Sequence, residues 1–151
     1  DVFIAPGDMP ARIQDWCERS GQARPEAHGD IIRAAYEGLA LLYADTYGTL
    51  EALSGKRLDV LRIVGGGSRN FLLDQFAANA IGRKVVTGPV EATAIGNLVV
   101  QMLAMGDIAS LDEGRAMVRD SFADETEIYE PQDAGAYRDA LARWQAFKNK
   151  A

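Results

Sequence analysis

The sequence predicts a helix-rich α/β fold built on a short pair of parallel strands with helices on both faces. Three observations carry that prediction. LDVLRIVGGG holds a run of branched apolar residues, Val60–Val64, cut off by three glycines, as a buried strand would be. KVVTGPV is a second short strand that ends at Pro89. Between them, NFLLDQFAANAIG returns to helical spacing, and a strand–helix–strand unit makes parallel strands with a right-handed crossover. Parallel sheets bury both faces under helices. Sheets usually have about 4–6 strands, so a pair looks incomplete.

The elements follow in order. After Pro10, Ile13, Trp16 and Cys17 share one helical face, and Gly21 is the stop. Asp30 then reads as the N-cap of a long helix with apolar positions Ile31, Ala34, Ala35, Gly38, Leu42, Ala52 and Leu53. Gly48 is a candidate bend in it, and Gly55 ends it with a left-handed cap. The helix after the first strand puts Leu72, Leu73, Phe76, Ala77 and Ala80 on one face and stops at Gly82. EATAIGNLVVQMLAMG is almost wholly apolar, which predicts packing on several sides, with Pro89 and Glu91 in its first turn. Ser110 and Glu113 form a capping box before the next helix. A loop with Tyr129 and Pro131 leads to a last helix, Ala134–Lys148, carrying Tyr137, Leu141, Trp144 and Phe147.

Composition narrows the functional classes. With 151 residues, 48% hydrophobic and 25% charged, the chain is sized for one globular domain. One cysteine excludes a disulfide scaffold. Sixteen basic against twenty-two acidic residues leave a net charge of −6 and no basic face, so nucleic acid is not an expected partner. No apolar run reaches the ~18 residues of a membrane helix. DVFIAPGDMP lacks signal-peptide order, so a cytoplasmic setting is expected. A first residue other than Met is what a piece of a longer chain would show.

Two strand ends could carry chemistry. Gly65-Gly66-Gly67-Ser68-Arg69-Asn70 lies directly after a strand and before a helix. Glycines let the backbone turn sharply and let a ligand approach without a Cβ in the way. In open α/β sheets ligands bind at the carboxyl ends of strands. The plainer alternative is a tight turn with Ser68 or Asn70 as N-cap, and both readings stand at this point. The string is neither the dinucleotide fingerprint nor a P-loop, which argues against a Rossmann-like enzyme. The second end, Gly88-Pro89-Val90-Glu91-Ala92-Thr93-Ala94-Ile95-Gly96-Asn97, fits a buried structural role ahead of direct ligand contact, with Gly96 marking a close approach to a neighbour. His28, the single histidine, reads as a surface loop residue, and Cys17 as core rather than nucleophile. No metal-spaced, paired-carboxylate or triad pattern stands out.

Together the two motifs resemble the adenosine-binding end of the FGGY carbohydrate kinases. GPVEATAIGN, PGDMPARIQ upstream and the following Ser20-Gly21-Gln22 point to the branch that phosphorylates L-rhamnulose. The resemblance spans nearly all of residues 1–151. It implies the C-terminal portion of the second of two actin-like (ribonuclease H-like) domains. It further implies ATP/ADP as ligand, with Gly66 and Asn70 at the positions that contact adenine and Gly67 beside them. L-rhamnulose or a related ketose would be the sugar, and Mg²⁺ would accompany ATP in the full-length enzyme. The catalytic aspartate, phosphate loop, metal ligands and sugar pocket would all lie upstream, leaving no catalytic residue here. The strands missing from the sheet would lie upstream too, so the first strand should expose an edge and the chain should self-associate. A stand-alone non-catalytic nucleotide-binding or interaction module is the alternative.

Overall fold

A computed structural model describes residues 3–148. In order these form α1 (Met9–Arg19), α2 (His28–Ser54), β1 (Val60–Ile63), a 3₁₀ turn (Gly65–Arg69), α3 (Phe71–Ile81), β2 (Lys84–Thr87), α4 (Ala92–Met105), α5 (Leu111–Ser121), a short 3₁₀ turn (Ala123–Glu125), β3 (Ile128–Tyr129) and α6 (Ala134–Lys148). The sheet order is β1-β2-β3. β1 and β2 are parallel, with Leu61 opposite Val85 and Ile63 opposite Thr87. The third strand, absent from the sequence reading, runs antiparallel to β2 and makes the sheet mixed.

β3 is too short to show periodicity, and tertiary contacts hold it. Thr87 and Glu127 bond reciprocally: the Thr87 N–H donates to the Glu127 carbonyl (2.9 Å), and the Glu127 N–H to Thr87 Oγ1 (2.8 Å). Beyond β3, Asn79 Oδ1 accepts from the Gln132 N–H (2.8 Å) and Gln75 donates to the Glu130 carbonyl (2.9 Å). The loop expected around Tyr129 is therefore an edge strand fastened to β2 and α3.

Small residues set the core. Ala77, Ala78 and Val85 are fully buried, with Leu61, Ile63, Ile81 and Tyr129 packed around them. A second cluster joins Ala40 and Ala44 of α2 to Ala80 of α3, under Phe76, Tyr137 and Leu141. Alanines at the α2–α3 contact let the two backbones approach closely, which makes this the most extensive helix pairing in the fold. α6 packs behind both, and α1 reaches α6 through the edge-on rings of Trp16 and Phe147 (6.2 Å).

Several expectations need correction. α3, backed by α2 and α6, lies on the face of Leu61, Ile63, Val85 and Tyr129. On the opposite face Val60, Val64 and Ile128 stay exposed and Val86 is covered, so β1 is only half buried. α4 has no buried residue; Leu98, Val100 and Met105 face outward, because its main partner is α5 alone. Gly96 meets no neighbour: a Cβ there would have nothing within 4 Å. Glu91 is the cap residue of α4 and Pro89 lies outside it. α2 begins at His28, not after Asp30, and the Asp30 carboxylate accepts from the Ala27 N–H (3.3 Å). α2 runs through Gly48 unbroken and buries Ile31, Ala40, Ala44 and Tyr47, while Leu42 and Leu53 are exposed. Ser110 caps as expected, its Oγ accepting from the Glu113 N–H (3.2 Å), while the Glu113 carboxylate accepts from the Ala109 N–H (2.7 Å), one residue before the cap.

Candidate functional site

The two strand-end motifs meet in space. After β1, Gly65 takes φ +79°, a conformation that favours glycine, and its N–H donates to the Pro89 carbonyl (3.0 Å). The Gly88 N–H donates to the Ile63 carbonyl (2.9 Å). A Cβ on Gly88 would stand 3.0 Å from Val64 Cγ1, so the second motif needs glycine to lie against the first. Ser68 Oγ donates to the Gly65 carbonyl (2.7 Å) and closes the turn from inside.

Asn70 ends the turn and opens α3. Its N–H donates to the Gly67 carbonyl (3.0 Å), and its Oδ1 accepts from the Leu73 N–H (3.2 Å). Of the two cap candidates, Asn70 is therefore the cap. Its Oδ1 is committed to the helix, which leaves the Nδ2 amide as the donor that could meet a ligand acceptor. The three site residues expected from the sequence sit together on one turn. Gly66 and Gly67 are exposed and Asn70 half-buried. A Cβ on Gly66 would point into open space, and one on Gly67 would touch Ile63 Cγ2 at 3.4 Å. The turn is thus braced from behind by β1 and the Pro89 loop and bare in front. That arrangement suits a flat, uncharged group such as a purine base, which needs close backbone approach and a side-chain donor. Among the described residues no group of three or more His, Cys, Asp or Glu could hold a metal ion.

Two features escaped sequence reasoning. Phe71, first residue of α3, stands beside Asn70 and is 72% exposed. Asp74, one turn further on, is completely buried. Its signal was a polar residue on the apolar stripe shared by Ala77 and Ala78. Cys17 is half-buried on α1, and His28 is exposed at the start of α2 rather than in a loop. Neither of these two lies near the glycine turn in sequence or belongs to a cluster that could act as a site.

The profile of the FGGY family of carbohydrate kinases, C-terminal domain, matches residues 1–105. The chain belongs to that family. A rhamnulokinase of Bacteroides thetaiotaomicron is 43% identical over 149 residues, covering 99% of this chain and 30% of the relative. One from Ligilactobacillus salivarius is 41% identical over 148 residues, 98% of this chain and 30% of the relative. One from Klebsiella pneumoniae is 44% identical over 123 residues, 82% and 25% respectively. This FGGY chain therefore spans about 30% of the length of the first two relatives. The α/β, helix-rich build with a small mixed sheet is its share of an actin-like fold. Among the described residues, no helix is long and apolar enough to cross a membrane.

Proposed function

We propose that this chain is the nucleotide-side wall of an ATP-dependent, cytoplasmic sugar kinase that converts L-rhamnulose to L-rhamnulose 1-phosphate. One observation carries the reading: the glycine turn is braced from behind, open at Gly66, and closed by an Asn70 whose amide nitrogen is uncommitted. Gly66 and Gly67 would give backbone contact to adenine, and Asn70 Nδ2 would donate to a ring nitrogen. The turn's work is to place the nucleotide. Phosphoryl transfer rests on positioning and on charge stabilisation of the phosphates, and Mg²⁺ supplies part of that stabilisation when bound with ATP. The groups that would hold the phosphates, the metal and the sugar belong, in this reading, to the upstream part of the kinase.

A titration of the isotopically labelled chain with ATP tests the assignment. Base and ribose contacts alone should give affinity no better than about millimolar, roughly −4 kcal/mol. Amide shifts should cluster at residues 65–70 and around Gly88. Shifts that gather elsewhere would sink the adenine assignment and leave an interaction module as the better reading.

A further inference from the structure

Asp74 is the one fully buried charged side chain among the described residues, and the proposed nucleotide contacts do not use it. It is 0% exposed, and neither carboxylate oxygen has a hydrogen-bond partner among the described residues. It lies in the α3 face that packs on the sheet, one turn before Ala77 and Ala78, which are themselves fully buried against Val85. An unpaired carboxylate is far costlier to bury than a neutral acid.

We propose that Asp74 is a proton-binding switch within the fold: with its carboxyl neutral, α3 seats fully on the sheet, and ionising it loosens that seat together with the Asn70 cap that opens the same helix.

Neighbouring charge offers no compensation. Burial alone raises the Asp74 carboxyl, to about 6. From β3 the group facing it is Tyr129, whose phenol is pushed up by burial first, then by Asp74 and Glu127. From β2, Lys84 is engaged with Glu130 (3.2 Å). From α2, Tyr43 packs on the same cluster, while Arg33 is engaged with Glu37 (2.8 Å). From α6, Tyr137 packs its ring at a tilt against Phe76 and Lys148 pairs with Asp45 (2.9 Å). In the 3₁₀ turn Arg69 is exposed. The link to the site is short and hydrogen-bonded: the Asp74 N–H donates to the Asn70 carbonyl (2.9 Å), and Asn70 Oδ1 accepts from the Leu73 N–H (3.2 Å).

The sign follows from the two protonation states. An unfolded aspartate ionises near 3.9. The folded carboxyl holds its proton to about pH 6. Between those values the folded chain binds a proton that the unfolded chain has released, so stability falls as pH rises and levels off above the folded value. The gap between the unfolded and folded values corresponds to about a hundredfold in the folded-to-unfolded ratio.

Denaturant unfolding of the chain and of Asp74→Asn, from pH 4 to pH 8, reads this out. The difference between the two profiles removes titrations that both proteins share. The wild-type chain should lose about fiftyfold relative to the Asn variant across the window, and the variant should be the more stable at pH 7.5. Parallel profiles, or a variant less stable at pH 7.5, would overturn the switch. Carboxyl carbon shifts of Asp74 in the wild-type chain provide the second measurement, independent of any variant. A midpoint near 6 supports the proposal, and one near 4 removes it.

Discussion

Gly66 and Gly114 look alike in the sequence and differ entirely in what surrounds them. A Cβ on Gly66 would meet nothing within 4 Å among the described residues. Gly66→Val should therefore fold with an unchanged melting temperature and lose ATP-induced amide shifts, because the valine occupies the space offered to the base. A variant that still binds ATP at the wild-type level would refute the site. Gly114, buried inside the α4–α5 contact, is the opposite case. Its Cβ would lie 2.5 Å from Val99 Cγ1 and 3.1 Å from Ile108 Cδ1. Valine is stiff at χ1 and cannot swing away. Overpacking costs about 1–3 kcal/mol, against about 1 kcal/mol gained in helix propensity. Gly114→Ala should thus lower stability by about 1 kcal/mol, measured as the urea midpoint at constant slope. Gly96→Ala, on an open helix face, is the control and should move the midpoint the other way.

Among the elements, β1 and α4 leave the most undone. The Ile63 carbonyl faces β2, where it accepts from Gly88, so by alternation the N–H and C=O of Arg62 point to the outer edge. Among the described residues β1 has no neighbouring strand on that side. Beside it run the exposed side chains of Val60 and Val64, and α4 adds Leu98, Val100 and Met105. An open edge next to apolar surface favours pairing with another chain. The 16.3 kDa chain is expected to self-associate, most simply as a two-fold dimer using the same patch twice. Size exclusion with light scattering checks this, and a monomer at high concentration would remove the edge argument. Arg62→Pro deletes a donor on the open side and leaves the β2 ladder intact, so it should shift the equilibrium toward monomer. These two elements were also where the periodicity misled. A run such as Val60–Val64 or Leu98–Leu103 says that apolar surface exists, and says nothing of whether this stretch of chain covers it.

At the scale of the whole molecule, the chain should not transfer phosphate. With ATP, Mg²⁺ and L-rhamnulose in a coupled assay, the rate should match the blank, since the proposed reading puts the groups that hold phosphate, metal and sugar upstream; robust turnover would overturn the division of labour proposed above. The sequence by itself determined the helices, the two parallel strands, the glycine turn with Ser68 or Asn70 as its cap, and through the two motifs the FGGY kinase family. These depend on local periodicity, on cap chemistry and on backbone freedom, which neighbouring residues carry in full. Tertiary structure alone decided the rest. β3 exists because Thr87 and Glu127, forty residues apart, bond to each other. The two motifs form one site because the Gly65 N–H reaches the Pro89 carbonyl. Asp74 became a buried acid with no hydrogen-bond partner among the described residues because α3 turned that face to the sheet. Burial depends on which surfaces meet across the chain, and no window of sequence contains both of them.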